Sequence, residues 1–279
     1  MGFLRAGVFC MRAAQAEPLP EACGCLRRAG CMGPERGVGC DMPRYNRVLL
    51  KLSGEVLAGD ERFGLDFDAV RRVGAEMVEL HGAGIQLSLV VGGGNMLRGR
   101  DVQKLGIERS QADYMGMLGT VINALALQDV LEKMGVPTRV QTAIEMREVA
   151  EPYIRRRALR HMEKGRIVIF AAGTGHPFFS TDTTAALRAA EMGVDCMVKG
   201  TKVDGIYEAD PKSHPEARFF PHLSYSEALQ RNIEVMDASA FSLCRENRIP
   251  ILVLNVQKKG CLVSALVNGE RIGTIVEDA

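Results

Sequence analysis

An α/β fold organised on a mainly parallel sheet is predicted by three observations. Short apolar runs at 47–52, 87–91 and 167–170 are too brief for globular helices and read as strands, the second rich enough in Leu and Val to be covered on both faces. Each run breaks at once into small residues: Ser53-Gly54, Gly92-Gly93-Gly94 and Gly173-Thr174-Gly175. Between the first two lies an amphipathic stretch, and strand, helix and strand in that order imply a right-handed parallel crossover, which brings the small-residue breaks to one edge of the sheet.

The elements follow in order. Residues 1–41 show no periodicity and are rich in Gly, Pro and Arg, so they are expected to be a disordered extension, with Met42 a plausible alternative start. They hold Cys10, Cys23, Cys25, Cys31 and Cys40, without the spacing or histidines of a zinc site. Cys196, Cys244 and Cys261 sit in apolar surroundings and read as small buried residues of a reduced compartment. After the first strand and the polar loop Gly59 to Gly64, Asp66 caps a helix through His81 with Val70, Val73, Met77, Val78 and Leu80 at helical spacing. Following the second strand, Asn95 can cap a helix. Ser110 is expected to cap a long helix from Gln111 to Met134, with Asp113 in its first turn as a complement to the helix dipole.

A strand at Thr138 to Thr142 and a helix from Pro152 to Glu163 come next, with Arg155, Arg156, Arg157 and Arg160 forming a solvated face. After the third glycine break a helix starts near Ser180 or Thr181. A strand from Asp195 to Lys199, helices near Tyr225 to Arg231 and Asp237 to Asn247, a strand from Ile251 to Asn255 and a terminal helix and strand complete the chain.

Composition excludes several functions. At 279 residues, 47% hydrophobic and 25% charged, the chain is ordinary globular sequence. A net charge of +1 with 5% aromatic residues and no Trp offers no footprint for nucleic acid. No apolar run approaches the roughly 20 residues of a membrane span, so a soluble protein is expected.

The breaks themselves read as an anion site. Three adjacent glycines uncover backbone N–H groups that any Cβ would shield, and Arg98 can offer a planar fork to phosphate oxygens, although a tight glycine turn beside a surface arginine has the same signature. Lys51 precedes Ser53-Gly54 and suits phosphate better than the alternative of a water-facing edge lysine. Asp182 is either a capping carboxylate or the partner of Lys51. The chain has no G-x4-G-K-[ST] loop, no G-x-G-x-x-G fingerprint, no protein-kinase signature and no H-E-x-x-H.

KLSGE at 51–55, VVGGGN at 90–95 with Arg98, ADYMGMLGTVINAL at 112–125, GTGHPFFSTD at 173–182, KGTKVDGIYEADP at 199–211 and MDASAF at 236–241 together resemble the bacterial UMP kinases, which have the amino-acid-kinase fold. The resemblance runs in order from about Arg44 to the C-terminus. It implies a three-layer αβα sandwich, a single domain over 42–279 with a UMP-binding N-terminal half and an ATP-binding C-terminal half, and transfer of the ATP γ-phosphoryl group to UMP. Lys51, Arg98 and Asp182 are then the catalytic set. ATP is held by Lys51, Leu52, Ser53, Gly54, Gly94, Arg98, Thr201, Tyr207 and Asp210. UMP is held by Gly93, Asp113, Thr174, Gly175, His176, Pro177, Phe178, Phe179, Ser180 and Thr181, with Arg98 on its phosphate. His176 departs from the Asn of many relatives, and its charge would make uracil recognition depend on pH.

The resemblance further implies Mg2+ accompanying ATP, no resident metal, a cytoplasmic homohexamer, GTP activation through Gly59, Asp60, Glu61, Arg62, Phe63 and Gly64, and UTP inhibition. Phosphoryl transfer suits this residue set: the acceptor oxygen of UMP is already ionised, so the site needs positive charge and alignment, with no general base. Two rivals are a kinase of the same fold acting on acetylglutamate, aspartate or carbamate, and a catalytically silent nucleotide-binding relative.

Overall fold

The computed structural model describes residues 45–61, 63–97, 106–211, 213–233 and 236–278. The first 41 residues, Arg62 and Arg98 lie outside these. The elements are β1 (Arg47–Leu52), α1 (Gly54–Leu57), α2 (Phe67–Gly82), β2 (Gln86–Val91), α3 (Arg109–Lys133), β3 (Thr138–Thr142), β4 (Glu151–Pro152), α4 (Arg155–Glu163), β5 (Ile167–Ala171), α5 (Thr181–Met192), β6 (Cys196–Thr201), β7 (Ile206–Tyr207), β8 (Phe219–Phe220), β9 (His222–Leu223), α6 (Tyr225–Gln230), α7 (Ala238–Glu246), β10 (Ile251–Asn255), α8 (Cys261–Leu266) and β11 (Thr274–Val276).

Nine strands form one sheet in the order β4-β3-β5-β2-β1-β6-β10-β11-β9, parallel throughout except where β11 meets β10. The central strands are apolar on both faces because both are covered. Val48, Leu50 and Leu52 of β1 pack with Leu87 and Leu89 of β2 into a core shared with α2, α3 and α8. The alternate residues, Leu49, Val90, Phe170 and Met197, enter a second core with α4, α5, α6 and α7. This is the expected three-layer αβα sandwich. Cys196, Cys244 and Cys261 are buried thiols, as their surroundings suggested.

Two helix starts differ from the sequence reading. The long helix begins at Arg109 with Glu108 at its cap position, and Ser110 lies inside it, where its hydroxyl donates to the Glu108 carboxylate at 2.8 Å and not to the helix end. Asp113 therefore falls beyond the first turn. Pro152 belongs to β4, where Thr142 pairs with it at the sheet edge, a place that tolerates a residue without N–H; helix α4 starts only at Arg155. Helix α3, 25 residues long, is also apolar enough to span a bilayer by length and composition, although its apolar residues are interrupted by polar ones. Half of its most apolar stretch is buried, and Leu127 and Leu131 pack into the first core, so it is a core helix here.

Candidate active site

Sheet order places the carboxyl ends of β5, β2, β1 and β6 side by side. Register does the rest. Lys51 of β1 is paired with Lys199 of β6, so both side chains leave the same face of the sheet as neighbours. Two ammonium groups so placed repel unless an anion stands between them, and Asp182 in the first turn of α5 does so. Lys51 Nζ lies 2.7 Å from Asp182 Oδ1 and Lys199 Nζ donates to Asp182 Oδ2 at 2.7 Å, with side-chain exposures of 13%, 16% and 14% for Lys51, Lys199 and Asp182. Burial pushes the Asp182 pKa up, but the two lysine charges outweigh it and hold the carboxyl below its ordinary value. For Lys199, burial dominates, aided by the Lys51 charge, and holds the ammonium pKa below its ordinary value despite Asp182. One carboxylate between two cations leaves a local charge of +1, partly desolvated and poised for a further anion.

The water-facing alternative for Lys51 is thus excluded, and Asp182 is its partner and not the cap of α5. That cap is Ser180, whose hydroxyl accepts from Thr183 N–H at 3.0 Å. Lys199 is not among the site residues the sequence predicts, although, like Lys51, it stands near a strand end just before small residues, here Gly200 and Thr201. Asp237 was overlooked too. It caps α7 through Ala240 N–H at 2.8 Å and accepts from the hydroxyls of Ser180 and Thr183, which fastens the start of α5, and with it Asp182, to α7.

The glycine turn follows β2. A Cβ on Gly54 would run into Asn95 Oδ1 and Gly92 O, so only glycine lets the start of α1 rest against this turn. A Cβ on Gly93 would collide with Gly116 O of α3. Asn95 caps no helix in the described residues; its side chain turns inward to Asn123. Gly93 and Gly94 line a cavity of about 290 Å³ together with Asp113, Thr174, Phe179, Ser180 and Thr181. Six of the ten residues expected to hold UMP, and Gly94 of those expected to hold ATP, are thereby brought to one place. Gly175, His176, Pro177 and Phe178 do not line it. They form the outer loop, where His176 and Phe178 are exposed and Phe178 N–H donates to Asp113 Oδ2 at 2.8 Å. Asp113 thus braces that loop while facing the cavity.

Thr201 ends β6, and Tyr207 and Asp210 follow in the segment after it. The Thr201 hydroxyl donates to Val203 O at 2.7 Å and approaches Leu254 O at 3.2 Å, so it shapes the loop after β6. Tyr207 meets Phe219 edge-on with centroids 5.3 Å apart, and Asp210 forms the expected turn, its carbonyl accepting from Ser213 and His214. Gly59 and Asp60 line a separate cavity of about 470 Å³ with Arg71, Glu76 and Lys259, while Phe63 is exposed.

Residues 46–255 match the model of the amino acid kinase family. The chain belongs to that family. Among solved structures it is similar to UMP kinase from Bacillus anthracis, at 39% identity over 84% of this chain and 96% of that one with a TM-score of 0.81. UMP kinase from Ureaplasma parvum is 37% identical over 84% of this chain and all of its own, with a TM-score of 0.80. Uridylate kinase from Archaeoglobus fulgidus is 27% identical over 82% of this chain and 99% of that one, with a TM-score of 0.64. The resemblance read from the motifs is borne out by these matches.

Proposed function

We propose that this chain transfers the γ-phosphoryl group of ATP to UMP, yielding UDP for pyrimidine nucleotide biosynthesis. The observation that carries this reading is the Lys51–Asp182–Lys199 cluster at the strand ends beside the cavity lined by Gly93, Gly94 and Asp113. Bringing two polyanions into line is the main difficulty of the reaction, and a buried net positive charge next to exposed backbone N–H groups addresses it directly. The UMP phosphate needs no deprotonation, so the lysines act by neutralising charge that builds on the transferred group. ATP enters as its magnesium complex with the ion carried by its phosphates; among the described residues no three His, Cys, Asp or Glu side chains cluster as ligands. Asp113 faces the cavity where a ribose would lie, and the motif assigns Arg98, which lies outside the described residues, to the phosphates.

A coupled assay with ATP and a panel of UMP, CMP, GMP, aspartate and carbamate tests the assignment. UMP is expected to turn over fastest, equally well in the full chain and in one beginning at Met42, since every residue assigned to the site follows Met42 in the sequence. Equal turnover of CMP, or none of UMP, overturns the substrate assignment.

The reading extends to a cytoplasmic homohexamer, activated by GTP and inhibited by UTP. Tyr114, Met115, Leu118 and Ile122 form an exposed apolar stripe along α3, which supports self-association through that helix. Ile122→Asp is therefore expected to lower the mass measured by light scattering to that of a smaller species; an unchanged mass would assign the contact elsewhere. Regulation through Gly59 to Gly64 is supported by two bonds from that loop to the glycine turn: Gly64 N–H donates to Asn95 O at 2.9 Å, and Asn95 Nδ2 donates to Gly64 O at 2.7 Å.

A further inference from the structure

Beneath the glycine turn lies a closed pair of side-chain amides. Asn95 follows the turn and Asn123 projects from the inner side of α3, with 1% and 0% of their surfaces exposed. Asn95 Nδ2 donates to Asn123 Oδ1 at 3.0 Å, and Asn123 Nδ2 donates back to Asn95 Oδ1 at 2.7 Å. Each nitrogen has one hydrogen left, and both go to backbone: Asn95 to Gly64 O and Asn123 to Gly92 O, each at 2.7 Å. All four amide donors are used. Turning either amide over would leave buried donors bare, at a cost of about 1–3 kcal/mol each, so the arrangement is held in one state.

The consequence falls on the turn. In a planar trans peptide the carbonyl and the following N–H point in opposite directions, and the described chain has no cis bond. Asn123 draws the Gly92 carbonyl inward, so the Gly93 N–H faces away from α3's amide, on a residue that lines the cavity. The Gly93 carbonyl is also taken, by Met96 N–H at 2.9 Å and Leu97 N–H at 3.0 Å, which sets the Gly94 N–H. Among the described residues neither of these two N–H groups has an acceptor of its own. A peptide between two glycines can rotate over with little steric resistance, and doing so would present its carbonyl oxygen to an incoming anion. The amide from α3 prevents that rotation.

We infer that Asn123 is a positioning residue for the acceptor phosphate, acting through the Gly92 carbonyl to aim the Gly93 N–H. This rests on reading the glycine turn as the phosphate site for UMP. The test compares binding of UMP and of uridine, which lacks the phosphate, to the full chain and to Asn123→Leu, a change close in size that removes both donors. Expected is a fall in UMP affinity of about tenfold or more, equivalent to roughly 1.4 kcal/mol, with uridine affinity kept within about twofold. Equal weakening of both ligands, or unchanged UMP affinity in the folded variant, overturns the inference. Should Asn123→Leu not fold, Asn123→Ser leaves room for a water and is judged by the same ratio. A wild-type chain that binds UMP no more tightly than uridine would instead defeat the phosphate-site reading, and this inference with it, before any variant is compared.

Discussion

Lys51→Ala is expected to lower the turnover rate by on the order of a hundredfold or more, about 2.7 kcal/mol of transition-state stabilisation, while UMP affinity changes by no more than about threefold. The asymmetry follows from where the charge stands. Lys51 and Lys199 share one carboxylate, and removing Lys51 takes the cluster from +1 to neutral, leaving Lys199 and Asp182 to satisfy one another. What disappears is the surplus positive charge that meets the transferred group, whose oxygens draw most on it as the bond to the leaving group breaks. Binding of the acceptor, if it uses the cavity lined by Gly93, Thr174 and Thr181 as proposed, keeps its contacts. Steady-state kinetics with a separate measurement of UMP binding decides the matter: near-normal turnover would take Lys51 out of the mechanism.

Asp182→Asn acts on both activity and stability. Two neighbouring ammonium groups lose the anion between them, and removing one partner of a buried ion pair costs about 3–5 kcal/mol, enough to lower the melting temperature by roughly 10 °C in a domain of this size. Turnover is expected to fall by about a hundredfold as well, because Lys51 and Lys199 no longer keep a fixed position. The pH dependence separates charge from packing. In the wild-type chain the two lysines hold the Asp182 carboxyl below its ordinary value of 3.8 against the opposing effect of burial. A depressed carboxyl contributes its full stabilisation above the unfolded-state value and loses it as pH falls through the lower folded-state value. The wild-type melting temperature should therefore drop on acidification from about 3.8 downward more steeply than that of Asp182→Asn, which has no such group to protonate. Parallel acid limbs would mean that the carboxylate charge does not stabilise the fold.

Much of this was legible before any coordinate. Strands covered on both faces are apolar along their whole length, so β1, β2 and β5 stand out locally, and the glycines that end them are needed because α1 and α3 approach the turn too closely for a Cβ at Gly54 or Gly93. Asp66 and Ser180 declare helix starts through their own side chains. These signals lie within a few residues of what they predict. Ser110 misled because a hydroxyl beside a carboxylate has another acceptor to choose, and Pro152 because its place in a strand depends on β3 standing alongside. By itself, then, the sequence determined the α/β class, the parallel crossover at the start of the sheet and the small-residue breaks that share one edge of it. Only the tertiary structure decided that Lys199 joins Lys51 on Asp182, that Asp237 fastens the helix holding Asp182, and that Asn123 reaches the glycine turn. Those pairings depend on the register of β1 with β6, the packing of α5 against α7 and the crossing of α3 over β2, and hydrophobic periodicity reports which face of an element is buried but not what it is buried against.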